Sequence, residues 1–182
     1  FGLGCYVIAE AGINHNGKLD LALKLIDAAN DAGADAVKFQ TFKAEQVIIS
    51  NQPAFSYQKR MIKQTDQAEM LKRLELEEEW YPQLIARAKK RKITFLSTPH
   101  GSFASVDFLV SLGIPALKFS SGDLSNLPLL SYAAKFGKPM IISTGMGTMN
   151  EVKTAVRRIR SAGNNQIVVL HCVTHYPTRD NQ

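Results

Sequence analysis

The feature that most constrains this chain is a repeated unit. An apolar run of four to six residues ends in a polar or charged residue, a glycine-containing turn follows, and an amphipathic helical pattern comes next. Val7-Ile8-Ala9-Glu10-Ala11-Gly12-Ile13-Asn14-His15-Asn16-Gly17 is the first case, with Leu19 opening the helix. Six such runs can be read as strands: 6–10, 36–41, 93–98, 116–119, 140–143 and 167–171. Helical periodicity covers 19–32, 68–74, 77–90, 105–112, 128–136 and 149–162. Gly33, Gly113, Gly137 and Gly163 stand where helices stop. Continuous apolar strands alternating with helices demand a parallel sheet covered on both faces. Six units in 182 residues fit either a doubly wound sheet or most of a TIM (β/α)8 barrel, which takes eight units and typically about 250 residues. The last run lies close to the end of the sequence, which favours the barrel with about six of its eight βα units in this chain.

Composition narrows the function classes. The chain carries 22 Lys plus Arg against 16 Asp plus Glu, a net charge of +6. The basic residues fall on helical patterns, as in Arg87-Ala88-Lys89-Lys90-Arg91-Lys92, without interleaved aromatics, so solvated helix faces explain them better than nucleic acid. A small anionic ligand suits the same field. No apolar run reaches the ~18 residues of a membrane helix, and no signal-peptide pattern is visible. Cys5 and Cys172 lack CxxC spacing and read as buried, unpaired thiols. Residues 43–67 break the periodicity and read as a long functional or disordered excursion.

In both α/β architectures the chemistry collects at the C-terminal strand ends. Those ends supply Glu10, Lys38 with Gln40, Thr98, Lys118 with Ser121 and Asp123, Ser143 with Thr144, and the segment 171–176. A buried parallel strand has no structural use for lysine, because an unpaired ammonium in the interior is costly. Two strand-end lysines among hydroxyls and glycine turns (Gly122, Gly145, Gly147) form a plausible cradle for a phosphate or carboxylate. The bland alternative is an ion pair, Lys38–Glu10 or Lys118–Asp123, that serves only packing. Neither GxxxxGK[ST] nor GxGxxG after a strand is present. His15 divides evenly between turn bonding and function, and His100 reads as solvated. His171 and His175 are a weak metal pair, four apart on a strand-to-loop segment.

Several stretches resemble the sialic acid synthase family. They are Ile8 to Gly17, Ala34-Asp35-Ala36-Val37-Lys38-Phe39-Gln40, Phe95-Leu96-Ser97-Thr98-Pro99, Asn126-Leu127-Pro128-Leu129-Leu130, Ser143-Thr144-Gly145-Met146 and Tyr176-Pro177. The resemblance implies a TIM-barrel domain followed by a small antifreeze-like domain, of which this chain holds a part. It implies condensation of phosphoenolpyruvate with an N-acyl hexosamine such as N-acetylmannosamine, with or without a 6-phosphate. A divalent metal, Mn2+ or Mg2+, is implied as Lewis acid, its histidine ligands falling outside this chain. By the same resemblance Lys38, Lys118, Ser121, Ser143 and Thr98 hold phosphoenolpyruvate. Glu10 acts beside the reacting carbons, and Gln40 and Tyr176 lie near the sugar or metal. Asp123 stands where many members carry Glu. A cytoplasmic enzyme, a homodimer when full length, and no nucleic-acid or membrane partner are also implied. Two other classes compete: a lysine Schiff-base aldolase and a non-catalytic sugar-binding module.

Overall fold

A computed structural model describes residues 4–47, 67–174 and 178, with Val47 and Gln67 traced in backbone only. The chain divides into two compact units, Phe1–Leu96 and Ser97–Gln182. The fold is α/β, with two three-stranded sheets.

In the first unit β1 (Ile8–Gly12) feeds α1 (Leu19–Asp31), and β2 (Ala36–Thr41) pairs parallel to β1. Short helices α2 (Ala44–Val47) and α3 (Gln67–Lys72) follow, then a 3-10 turn, Glu78–Trp80, and α4 (Tyr81–Arg91). β3 (Thr94–Pro99) completes the sheet order β1-β2-β3. The apolar stripe of α1 buries Ala22, Ile26 and Ala29, while its other side pairs with α4. Arg87 Nε donates to Asp27 Oδ1 at 2.8 Å, and Arg91 pairs with Asp31 one turn further along both helices. Asn30 Nδ2 adds a bond of 2.9 Å to the Arg91 carbonyl. Phe39 stacks on Phe95 at 5.6 Å, and the buried Tyr81 hydroxyl meets Thr41 Oγ1 at 2.6 Å. A satellite core of Phe42, Met70 and Leu74 sits beneath α3.

In the second unit β4 (Leu117–Phe119), β5 (Met140–Ser143) and β6 (Ile167–Leu170) run parallel in that order. Between them lie α5 (Phe103–Ser111), a 3-10 turn at Ser121–Asp123, α6 (Leu127–Ala134) and α7 (Met149–Ser161). The starts of these helices follow side-chain chemistry. Ser102 Oγ accepts from the Ser105 N–H, so α5 begins two residues before the apolar pattern suggests. Asn126 caps α6, with Pro128 in its first turn. Thr148 and Glu151 form a reciprocal capping box on α7.

Two expectations are corrected. The first strand begins at Ile8 rather than Tyr6, and Tyr6 and Val7 are exposed. Cys5, just before them, is also exposed, and Cys172 is half-buried. Both thiols are free, as expected, but neither is buried. Among the described residues β1 is an outer strand of its sheet, paired on one side only. Among the described residues no helix is long and apolar enough to cross a membrane. Of the excursion 43–67, only residues 43–47 and 67 are described.

Candidate active site

The end of β1 is shaped by a bulge. Glu10 pairs with Lys38, but Gly12 pairs with Phe39, so Ala11 is an extra residue. The registered pair brings Lys38 Nζ within 3.0 Å of Glu10 Oε1. The lysine side chain is 5% exposed and the glutamate 56%, so the ammonium is buried and the carboxylate opens to solvent. Burial pushes the Lys38 ammonium below its ordinary value, and Glu10 pulls back only partly. Gln40 lies two residues along β2 and therefore on the same face as Lys38. Gly12 sits at φ +53, and a Cβ there would stand 3.4 Å from Glu10 Oε1 and 3.7 Å from Gln40 Nε2. The left-handed backbone favours glycine here, and its lack of a Cβ keeps the space beside both side chains clear.

His15 belongs to the turn rather than to an open rim. It is fully buried against Phe39 and Trp80, and its Nδ1 accepts from the Gly17 N–H at 3.1 Å. The proton therefore sits on Nε2, which is buried with no hydrogen-bond partner. Burial lowers its pKa below the usual histidine value. The turn reading wins over the functional one.

In the second unit Lys118 and Ser143 share a sheet face, since Lys118 pairs with Ile141, two residues before Ser143. Lys118 Nζ donates to Ser143 Oγ at 2.6 Å and to the Phe119 carbonyl at 3.0 Å. Both side chains are buried, as is Thr98 at the end of β3. Ser121 Oγ accepts from the Gly145 N–H at 2.9 Å, linking the turns after β4 and β5. A Cβ on Gly145 would lie 2.7 Å from Thr174 Cγ2 and 2.9 Å from Ser121 Oγ, so only glycine permits this approach. A cleft of about 130 Å³ opens beside these turns, lined by Ser121, Gly122, Ser125, Met146 and Glu151 among others.

Asp123 turns to Ser120 and His100. Its Oδ2 accepts from Ser120 Oγ at 2.6 Å and lies 3.3 Å from His100 Nδ1. Burial raises the Asp123 pKa, but the His100 and Ser120 hydrogen bonds overcome it, so the group is held below the ordinary carboxylate range.

Residues 25–182 match the profile of the NeuB family. The chain belongs to the NeuB family. It is 44% identical over 178 residues to the N,N'-diacetyllegionaminic acid synthase of Legionella pneumophila, covering 95% of this chain and 50% of that protein. The crystal structure of the N-acetylneuraminic acid (sialic acid) synthetase of Leptospira borgpetersenii superposes with a TM-score of 0.82 at 34% identity, covering 97% of this chain and 56% of that one. The spore coat polysaccharide biosynthesis protein SpsE of Bacillus subtilis gives a TM-score of 0.78 at 41% identity, covering 96% of this chain and 45% of that one. The chain spans about half the length of the curated relatives it matches.

The residues singled out from sequence thus fall into two groups. Glu10, Lys38 and Gln40 gather in the first unit. Lys118, Ser143, Ser121 and Asp123 belong to the second, with Thr98 at its beginning. Tyr176 and His175 lie outside the described residues, and His171 is exposed. Among the described residues no three His, Cys, Asp or Glu side chains gather to hold an ion. Sequence reasoning missed His100 and Ser120. His100 is not simply solvated; it is half-buried and joined to Asp123. Its place directly after Pro99, at the end of β3, was the available signal.

Proposed function

We propose that this chain is part of an enzyme that condenses phosphoenolpyruvate with an N-acyl hexosamine, giving a sialic-acid-type nonulosonate and phosphate. In the same reading its two sheets are portions of a (β/α)8 barrel. Membership of the NeuB family and the names of its relatives support the reading. The observation that carries it is the pair of buried strand-end lysines, Lys38 and Lys118, the second bonded to the Ser143 hydroxyl. Phosphoenolpyruvate bears a phosphate and a carboxylate, and desolvated cations flanked by hydroxyls hold such groups most strongly.

The balance is simple. The methylene carbon of phosphoenolpyruvate forms the new C–C bond to the aldehyde carbon of the sugar, whose oxygen takes a proton. Water adds to the carbon that bore the phosphate, and the C–O bond to phosphate breaks. Lys118, Ser143, Ser121 and Thr98 bind the anionic groups in this reading, and Lys38 does so from its own strand. Glu10 keeps one oxygen on Lys38 while its side chain is more than half exposed, which suits it to orient the water or take its proton. Gln40 and Tyr176 are assigned to the sugar side. The homodimer and the cytoplasmic setting rest on the resemblance alone.

The test is Lys118→Ala in the intact protein. Loss of a charge-assisted contact weakens phosphoenolpyruvate binding about ten- to a hundredfold, with little change for the sugar. Unchanged phosphoenolpyruvate affinity removes the cradle. Borohydride trapping with pyruvate checks the aldolase reading, which requires a covalent adduct on Lys38 or Lys118.

A further inference from the structure

The Asp123 carboxylate is spent inside the protein. Its side chain is 6% exposed, and the oxygen described above serves Ser120 and His100 together. A carboxylate so placed is better suited to aim another group than to meet a ligand. That group is His100, whose imidazole is 37% exposed. With Nδ1 turned to the carboxylate, a neutral imidazole carries its proton on Nδ1 and keeps a lone pair on Nε2. Ser120 Oγ lies 3.4 Å from the same Nδ1 and donates to the carboxylate, fixing all three groups. Among the described residues Nε2 makes no hydrogen bond, and it is not enclosed as His15 Nε2 is. His100 also stands two residues beyond Thr98, and Asp123 two beyond Ser121, so the imidazole belongs to the strand-end surface that carries the proposed anion cradle.

We propose that His100 is a sugar-binding residue of this enzyme, with Asp123 and Ser120 as its positioning residues. The choice of ligand follows from the tautomer. A lone pair on Nε2 accepts a hydrogen bond, so it recognises a donor. A hexosamine offers hydroxyls and an acylamino N–H, whereas the phosphate and carboxylate of phosphoenolpyruvate offer none when ionised. The arrangement makes Asp123 reach the ligand through an imidazole. This inference rests on the synthase reading and names a further residue of the same site.

The experiment measures phosphoenolpyruvate and sugar binding separately in the intact protein, with N-acetylmannosamine and its diacetamido analogues as the sugar probes. Variants are His100→Phe, His100→Gln and Asp123→Asn. His100→Phe weakens the preferred sugar about tenfold, the value of one lost hydrogen bond, and leaves phosphoenolpyruvate within twofold. His100→Gln, whose amide oxygen still accepts, recovers part of the loss. Asp123→Asn moves in the same direction as His100→Phe, and histidine 15N shifts report a change from the Nδ1–H to the Nε2–H tautomer. Equal sugar affinity in folded wild type and His100→Phe overturns the proposal, as does a loss confined to phosphoenolpyruvate. A wild-type protein that binds no phosphoenolpyruvate overturns the synthase reading itself, a distinct result. An Nε2–H tautomer in the wild type overturns the role of Asp123 even where His100 binds sugar.

Discussion

The Lys38–Glu10 pair is the place where stability and function should part company. At 3.0 Å two unit charges attract by about 5.5 kcal/mol at an effective dielectric of ~20 and about 1.4 kcal/mol in water. Lys38 is buried and Glu10 is more than half exposed, so the coupling should fall near ~2–3 kcal/mol. Glu10→Gln removes that attraction and leaves the ammonium buried, costing about 2 kcal/mol. Lys38→Met removes the buried charge and fills its space with an apolar chain of similar length. It should be neutral or stabilising by up to about 2 kcal/mol, while abolishing phosphoenolpyruvate binding. The pH dependence has a fixed sign. The folded Lys38 pKa is depressed from 10.5, so its contribution is fully favourable only above 10.5 and is lost as pH falls through the folded value. Wild type should therefore gain on Lys38→Met as pH rises toward 10.5. Urea denaturation of the two single variants and the double variant, at pH 7 and above, gives the cycle. A coupling under about 0.5 kcal/mol, the level of an ordinary surface pair, refutes the reasoning. So does a Lys38→Met variant less stable than Glu10→Gln.

Two other outcomes follow from the same structure. His15 is buried neutral with a pKa below 6.5, so its stabilisation is complete above 6.5 and declines as pH falls toward the lowered value; His15→Asn should flatten the stability–pH curve below 6.5 in urea titrations, and an unchanged slope would assign the acid sensitivity elsewhere. At Gly147 a Cβ would stand 2.3 Å from Leu124 Cδ2 and 3.2 Å from the Thr144 carbonyl, so Gly147→Ala should cost about 1–3 kcal/mol by thermal denaturation, and a neutral result would mean Leu124 has room to turn away.

What could be read from sequence was whatever a single strand or helix decides alone. The run Ala36 to Thr41 announced its strand, and the alternation along it placed Lys38 and Gln40 on one face. The strand-end rule then picked out Lys118 and Ser143 before their bond was visible. Facts that need two segments at once were beyond reach. Whether Lys38 meets Glu10 depends on the register of β1 against β2, which leaves no mark in composition. Nothing local to Asp123 reveals that His100, 23 residues earlier, takes one of its oxygens. His15 was undecided for a similar reason, since Trp80 and Phe39 close over it from distant parts of the chain. The exposed Cys5 shows the converse: an apolar neighbourhood in sequence is not an interior in space.

The two acid–base rungs between α1 and α4 carry a mechanical consequence. Asp27 with Arg87 and Asp31 with Arg91 fix one helix against the other through contacts about 60 residues apart in sequence. Because both rungs advance one helical turn along each helix, sliding α1 by a turn would leave one partner on each side unmatched. The alignment of the helices is therefore guaranteed from outside the segment that separates β2 from α4. Within that segment the described residues serve packing instead: Met70 and Leu74 fill the satellite core with Phe42, and Trp80 closes over His15. A substitution there is felt as lost core, while the two rungs go on holding α1 against α4.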